Sequence, residues 1–240
     1  MGENYLVEHT VGSIIRSAFK IYFSHFGTLV LIYVLPVVPF TVIQTEAQSR
    51  HHLVLMVVSI LLSVVVSLFA YGAITIAVSD VCVGNVPSFN RSYARTLGKI
   101  PAQLLGISLL QMLAMIVGLV LLVIPGLVFA VWFMLSPPVV VLEGKSAVAA
   151  LKRSKQLGDG SHWRNVGMLL LLSVILFVIG AILGAIVGLV FQSWIRLDLI
   201  SIFPVFTNPV IIISLVLIYY DRRVRKELYD VRALAEDLAR

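Results

Sequence analysis

Six long apolar runs dominate this chain, and no Asp, Glu, Lys or Arg lies inside any of them. A charged side chain at the centre of a bilayer costs about 3 kcal/mol or more, and a helix of about 20 apolar residues crosses the hydrocarbon core. The pattern predicts an all-α, polytopic membrane protein with six transmembrane helices in a single integral membrane domain, 1–240. The predicted spans are Phe26–Ile43, Leu53–Val78, Leu104–Ile124, Leu127–Leu142, Val166–Val190 and Ile200–Tyr220.

Prolines modify this pattern at several places. Pro137 and Pro138 interrupt the short fourth run, which is therefore expected to cross obliquely or as a broken helix. The tripeptide Ile124-Pro125-Gly126 indicates a tight turn before that run. Prolines inside the first and last spans, such as Pro36 and Pro204, free backbone carbonyl groups that must find another donor or line a cavity.

The distribution of Lys and Arg predicts the orientation of the spans. The side that holds both termini and two connecting segments carries 16 of the 18 basic residues, and the other side carries Arg50 and Arg196. Both termini are therefore expected in the cytoplasm, with the protein in a bacterial inner membrane. The net charge of +6 is expected to meet anionic lipid on the cytoplasmic side rather than nucleic acid.

The dipeptide Arg-Ser occurs three times, each time in a short basic amphipathic stretch ahead of two spans. Such stretches are typical of helices that lie in the membrane interface. Each pair of spans then ends near one carboxylate. The pattern predicts a threefold internal repeat, with units at about 10–80, 87–143 and 145–221, followed by a cytoplasmic tail helix at 221–240.

The three carboxylates are candidates for structural ion pairs. A carboxylate at the headgroup level can pair with an Arg or Lys of an adjacent interface helix and hold that helix against the bundle. The alternative is that the acids are solvated residues at helix ends, and the sequence is compatible with both. The candidate residues are Asp80, Glu143, Asp221, Arg16, Arg91 and Arg153.

Two sets of small residues predict close helix packing. Glycine recurs every fourth residue in the fifth span and allows another helix to approach closely. That helix belongs either to the same chain or to a second copy. Serine lines one face of the second span, as a packing seam or as the wall of a hydrated path. The glycines are Gly180, Gly184 and Gly188, and the serines are Ser59, Ser63 and Ser67.

Basic residues next to the spans are expected to contact lipid headgroups. The tail after the last span has apolar residues at helical spacing, which favours a helix on anionic lipid or a docking helix for a cytoplasmic partner. The sequence therefore leaves open whether the protein binds a partner protein or forms a homo-oligomer. The headgroup candidates are Lys152, Lys155, Arg222, Arg223, Arg225 and Lys226.

Motifs that carry enzyme chemistry are not found in the sequence. The adjacent His51 and His52, near Glu46, indicate a solvated pair rather than a metal site. No Gly-Lys-Ser/Thr phosphate loop and no nucleophile elbow occurs. The single cysteine, Cys82, is interpreted as a small apolar filler. We therefore expect no enzyme activity, no metal and no cofactor.

Two segments resemble a known family. The first contains Ile124-Pro125-Gly126, Trp132, Pro138, Val141-Leu142-Glu143, Ala150-Leu151 and Arg153-Ser154, and the second is Tyr219-Tyr220-Asp221-Arg222-Arg223-Val224-Arg225-Lys226-Glu227. They resemble the bacterial six-helix integral membrane proteins named for the glycerophosphoryl diester phosphodiesterase membrane domain. The resemblance extends across nearly the whole chain and implies fold and topology. It implies no phosphodiesterase activity, because this chain has no room for that separate catalytic domain, and stand-alone members are uncharacterised.

Three interpretations of function follow. The leading one is a non-enzymatic scaffold or accessory subunit that acts through lipid and protein contacts. The second is a transporter or lipid-handling protein with a cavity among the kinked helices, and the third, a membrane enzyme, is disfavoured. A central cavity of several hundred Å³ would favour the second interpretation, and a tightly packed bundle would favour the first.

Overall fold

The structure of the chain is a computed structural model that describes residues 5–50, 52–99, 101–121, 123–190 and 193–239. The described residues form eleven α-helices and no strand, so the all-α prediction is confirmed. The helices are α1 (Val11–Ser24), α2 (Phe26–Ser49), α3 (Leu53–Cys82), α4 (Phe89–Lys99), α5 (Pro101–Leu121), α6 (Val123–Phe133), α7 (Ser136–Glu143), α8 (Ala147–Gly158), α9 (His162–Val190), α10 (Ser193–Glu227) and α11 (Val231–Ala239).

The chain contains four to six candidate membrane spans among the described residues. Four helices are long and apolar enough to cross a membrane by themselves, and two bent helix pairs raise the number to six if each pair is one span. The four are Phe26–Gln48, Leu53–Cys82, His162–Ile186 and Phe203–Glu227. The pairs are Phe89–Gly98 with Pro101–Ala114, bent by 76°, and Val128–Glu143 with Ala147–Gly158, bent by 119°.

The fourth apolar run is divided into α6 and α7, and its free backbone groups find partners in other helices. The Ser154 hydroxyl of α8 donates to the Trp132 carbonyl over 2.7 Å and accepts from the Leu135 N–H over 3.2 Å. The Gln111 amide of α5 donates to the Phe133 carbonyl over 2.9 Å. A backbone break inside an apolar bundle is stable only when its polar groups are satisfied in this way.

The prediction of a tight turn at Ile124-Pro125-Gly126 is wrong, because α6 begins at Val123 and includes all three residues. Pro125 lies in the first turn of that helix, where its missing N–H leaves no intrahelical hydrogen bond unmade. Pro137 and Pro138 occupy the same kind of position at the start of α7. Proline therefore marks helix starts in this part of the chain.

The proline at position 36 of α2 is compensated by a neighbouring helix. Pro36 has no N–H to donate to the carbonyl of Ile32, four residues earlier. The Tyr93 hydroxyl of α4 donates to that carbonyl over 2.8 Å. The freed carbonyl thus holds α4 against α2.

The central helix is α10, which contacts α1, α2, α3, α7, α8 and α9. Most residues from Ile212 to Asp221 are buried. By contrast, α3 and α9 expose large apolar side chains such as Leu61 and Phe177. An apolar outer surface of this extent is typical of helices that face lipid tails. The core therefore lies around α10.

The serine face of α3 takes part in packing against α2. Ser59 is buried, and the Ser63 hydroxyl donates to its own helix, to the Ile60 carbonyl. The Ser67 hydroxyl forms a hydrogen bond with the Tyr33 side chain of α2. The Asn208 amide of α10 donates to the same Tyr33 hydroxyl over 3.1 Å. These polar contacts join three helices.

Gly180 and Gly184 of α9 lie next to α10 of the same chain. A Cβ atom at Gly180 would lie 2.6 Å from a ring carbon of Phe203. Gly184 lines the same cavity between α9 and α10 as Phe203. The surroundings of Gly188 lie outside the described side chains. The close approach at Gly180 therefore requires the absence of a side chain.

We expect Gly180→Ile to lower the thermal stability of the protein in a mild detergent. The new side chain must displace the Phe203 ring, and overpacking of this kind costs about 1–3 kcal/mol. Gly167→Ile is the matched control, because Gly167 lies on the same helix and a Cβ there meets nothing within 4 Å. Equal melting temperatures for the two variants would contradict the close contact between α9 and α10.

Candidate functional site

Three carboxylates lie together at one end of the bundle, which we call the charged end. Asp80 is near the end of α3, Glu143 ends α7, and Asp221 is near the end of α10. Their side chains are 1%, 11% and 0% exposed. Two tyrosines of α10 join the three positions, because the Tyr219 hydroxyl donates to Glu143 and the Tyr220 hydroxyl donates to the Ser79 hydroxyl beside Asp80.

Asp80 pairs with two arginines of α4. Arg95 Nη1 lies 3.4 Å from Asp80 Oδ1, and Arg91 Nη1 lies 3.9 Å from Oδ2. The two arginines are four residues apart and therefore share one face of the helix. Asp80 is buried and both arginines are partly exposed, so the carboxylate draws the charged face of α4 towards the end of α3.

Glu143 pairs with α8 through Arg153. The Arg153 Nε–H points between both carboxylate oxygens, at 3.1 Å from each, instead of forming the two parallel bonds of a guanidinium fork. Arg153 Nη2 is directed at Glu227 of α10. Lys145 Nζ lies 3.3 Å from Glu143, and the Tyr219 hydroxyl donates to Glu143 over 3.1 Å. Arg153 thus connects α7, α8 and α10.

Asp221 is the most enclosed of the three acids. Arg164 of α9 contacts its Oδ2, and Arg225 Nε lies 3.0 Å from its Oδ1. Arg222 Nη2 lies 2.9 Å from Oδ2. The backbone N–H of His9, in the segment before α1, donates to Oδ1 over 2.8 Å. One carboxylate therefore holds α9, α10 and the segment leading into α1.

Among the described residues, the structure brings no acid to Arg16. The buried face of α1 consists of Ile14, Ala18, Ile21 and Tyr22, and Arg16 lies exposed on another face. A helix turns about 100° per residue, so Arg16 cannot point inward while that apolar face does. Asp221 receives the backbone N–H of His9, in the segment before α1, and no contact with Arg16 is seen among the described residues.

Most of the predicted headgroup residues contact other parts of the chain, and their contact with lipid headgroups stays a prediction. Lys152 is exposed and makes no hydrogen bond, ion pair or ring contact among the described residues. Lys155 lies 3.9 Å from the ring centre of Trp132, and Lys226 donates to the Gln156 carbonyl over 2.6 Å. Arg222 and Arg225 pair with Asp221. Asp221 lies one and four residues before these two arginines on α10 and holds both beside the charged end.

The predicted tail helix is divided after Glu227, and the second part, α11, folds back on the charged end. Leu228 has a positive φ of 53° and reverses the chain. Arg223 packs over the Tyr229 ring at 3.5 Å and lies 3.3 Å from Asp237. Burial, aided by the hydrogen bond to Asp237, raises the pKa of the Tyr229 hydroxyl, which therefore stays a donor.

Arg95, Arg164 and Tyr219 are among the contributors to the charged end that sequence reasoning missed. Arg95 was detectable, because it stands one helical turn after Arg91 and shares its face. Arg164 is 57 residues from Asp221, and Tyr219 is 76 residues from Glu143. No local spacing links residues so far apart, so these contacts depend on how the helices cross.

The described arrangement is suited to holding helices together and to attracting anions. Each of the three buried acids accepts from at least one basic side chain, which ties its helix to a neighbouring segment. Among the described residues, no group of three or more His, Cys, Asp or Glu side chains is placed to hold a metal ion. His51, of the predicted solvated pair, lies outside the described residues. Cys82 is buried in the core.

The fold and the charged end define an all-helical protein with four to six candidate spans and buried, paired carboxylates. A family model described as "Domain of unknown function (DUF7847)" matches residues 73–220. The match covers more than half of the chain, so the protein belongs to this family. Comparisons with curated proteins and with solved structures gave no match. The resemblance to the glycerophosphoryl diester phosphodiesterase membrane domain stays a prediction.

We expect Glu143→Gln and Arg153→Gln each to lower the free energy of unfolding, and the double variant to cost less than their sum. The pair is mostly buried, so its coupling should exceed the roughly 0–1 kcal/mol of an exposed ion pair. The measurement is a double-mutant cycle on thermal or denaturant unfolding in mild detergent. The matched control is the exposed pair of Glu46 and Arg50, 3.1 Å apart. A coupling no larger than that control would mean that Glu143 and Arg153 act independently.

Proposed function

We propose that the protein is a non-enzymatic integral membrane protein of the bacterial inner membrane, acting as a scaffold or accessory subunit through lipid and protein contacts. The observation that carries this proposal is the pairing of Asp80, Glu143 and Asp221 with basic groups of other helices. Carboxylates committed to such pairs join helices and are not free for acid–base catalysis.

In this proposal the chain crosses the membrane six times, with both termini in the cytoplasm. The bends of 76° at the junction of α4 and α5 and of 119° at the junction of α7 and α8 support it. Bends of this size are expected where an interface helix lies along the membrane and the next element enters it. The 16 of 18 basic residues on one side favour the cytoplasm for the charged end.

The proposal also retains the threefold repeat, in which an interface helix precedes each pair of spans. Asp80 contacts α4 and Glu143 contacts α8, each the helix that follows the acid. Asp221 contacts the segment before α1 through the His9 N–H, which would close the cycle. The third contact differs in chemistry from the other two, because a backbone group replaces an arginine.

A transporter or lipid-handling protein is the second candidate. A cavity of about 780 Å³ between α9 and α10 favours it, with Phe177, Phe206 and Asn208 among the lining residues. The cavity is large enough for a small ligand or a lipid chain. It lies beside α10 and not at the centre of the bundle, so it gives less support than a central cavity would.

Affinity purification of the full chain in mild detergent, with mass spectrometry of co-purifying proteins, tests the scaffold proposal. We expect a partner protein, or a second copy of the chain, at a fixed stoichiometry. Lys152→Glu at the charged end should reduce its recovery, because a docked partner meets this exposed lysine. Arg50→Glu, directly after the far end of α2, is the matched charge-reversal control. Recovery of the chain as a lone monomer from every preparation would contradict the proposal.

A further inference from the structure

A cavity of about 720 Å³ lies at the charged end, beside Asp221. It is formed by α6, the first turn of α9 and the end of α10. One wall is apolar and aromatic, with Val131, Trp132 and Trp163. The lining also contains three arginines, Arg164, Arg222 and Arg225, which we call the cationic wall. Apolar and cationic surfaces therefore face the same space.

The cationic wall carries more positive charge than its acids neutralise. Arg164, Arg222 and Arg225 all contact the single buried carboxylate of Asp221. Glu8 supplies a second carboxylate, 2.6 Å from Arg225, but its side chain is 63% exposed. Among the described residues, these three guanidinium groups contact two carboxylates, which leaves one positive charge without a counter-charge. A cation removed from water in this way is stabilised by an anion in the cavity.

Arg222 gives the most direct evidence for an anion-binding site in this cavity. Its side chain is 6% exposed, and neither its Nε nor its Nη2 makes a hydrogen bond among the described residues, although Nη2 lies near Asp221. Arg164 Nε is likewise buried without an acceptor. A buried donor without an acceptor destabilises the folded protein. An acceptor group placed in the cavity would remove this destabilisation.

The first turn of α9 adds to the preference for an anion. The helix begins at His162, and His162, Trp163 and Arg164 all line the cavity. The first backbone N–H groups of a helix have no partner within the helix, and the helix dipole places partial positive charge there. Phosphate groups bind such positions, and guanidinium groups bind phosphate with two parallel hydrogen bonds.

We propose that this cavity binds the phosphate group of an anionic phospholipid, with the lipid chains along the wall formed by Val131 and Trp132. The proposal rests on the membrane placement proposed above and names the lipid at that surface. The apolar wall favours a phospholipid over free phosphate, because an inorganic anion would leave that wall uncovered. Trp163 is 83% exposed at the rim, and tryptophan is enriched at the headgroup level of membranes.

Isothermal titration calorimetry of the full chain in a neutral detergent tests the proposal. The probes are short-chain phosphatidylglycerol, short-chain phosphatidylcholine and inorganic phosphate. We expect saturable binding of phosphatidylglycerol, about tenfold weaker binding of phosphatidylcholine, and no binding of inorganic phosphate at the same concentrations. Equal affinity for the two lipids would overturn the claim that the site selects an anionic headgroup. Inorganic phosphate that binds as tightly as the lipid would overturn the claim that the ligand is a lipid.

Two variants test whether the lipid binds in this cavity. Arg222→Gln removes the buried cation and should weaken phosphatidylglycerol binding about tenfold, as loss of a charged hydrogen bond does. Trp163→Glu places a competing carboxylate at the rim without disturbing a buried side chain, and should weaken binding similarly. The controls are Arg16→Gln and Phe23→Glu, the same chemical changes at exposed positions of α1.

Unchanged binding by Trp163→Glu would overturn the site, even if Arg222→Gln does not fold. Equal weakening by the α1 controls would overturn it too, because the attraction would then be general. The titration uses detergent and no partner protein, so its failure leaves the scaffold proposal standing. A failed co-purification would likewise leave a measured lipid affinity in place.

Discussion

A carboxylate removed from water is stable only when cations and hydrogen-bond donors surround it, and this requirement organises the charged end. Asp221 is fully buried near the end of the central helix, and guanidinium groups of α9 and α10 and the His9 N–H enclose it. Removing one partner of a buried ion pair costs about 3–5 kcal/mol, against 0–1 kcal/mol for an exposed pair. The position of each helix at this end is therefore tied to a specific partner.

Two adjacent tyrosines extend this constraint from α10 to the other acids. The Tyr219 hydroxyl donates to Glu143, and the Tyr220 hydroxyl donates to the Ser79 hydroxyl next to Asp80. Both tyrosines are buried, and each must keep its hydrogen bond to remain so. The family match covers residues 73–220, which include Asp80, Glu143 and both tyrosines. The parts of the charged end that join α3, α7 and α10 thus lie within the matched region.

Local patterns predicted the helices well, because run length and the absence of charge are properties of consecutive residues. The long apolar runs correspond to α2, α3, α9 and the apolar part of α10. The contact of Glu143 with Arg153 also follows from nearness in sequence, ten residues apart on consecutive helices. The partners of Asp221 do not, since His9 is 212 residues away. Such contacts depend on helix crossing, which spacing along the chain does not encode.

Cysteine labelling in spheroplasts tests most directly the claim that the charged end lies in the cytoplasm and the far end of α2 lies across the membrane. Single cysteines replace exposed residues at Gln48, at the far end of α2, and at Val86 and Leu228, at the charged end. The parent chain, whose cysteine Cys82 is buried, is the control. A membrane-impermeant maleimide should label Gln48→Cys in intact spheroplasts and the other two only after permeabilisation. Labelling of Leu228→Cys in intact spheroplasts would contradict the account.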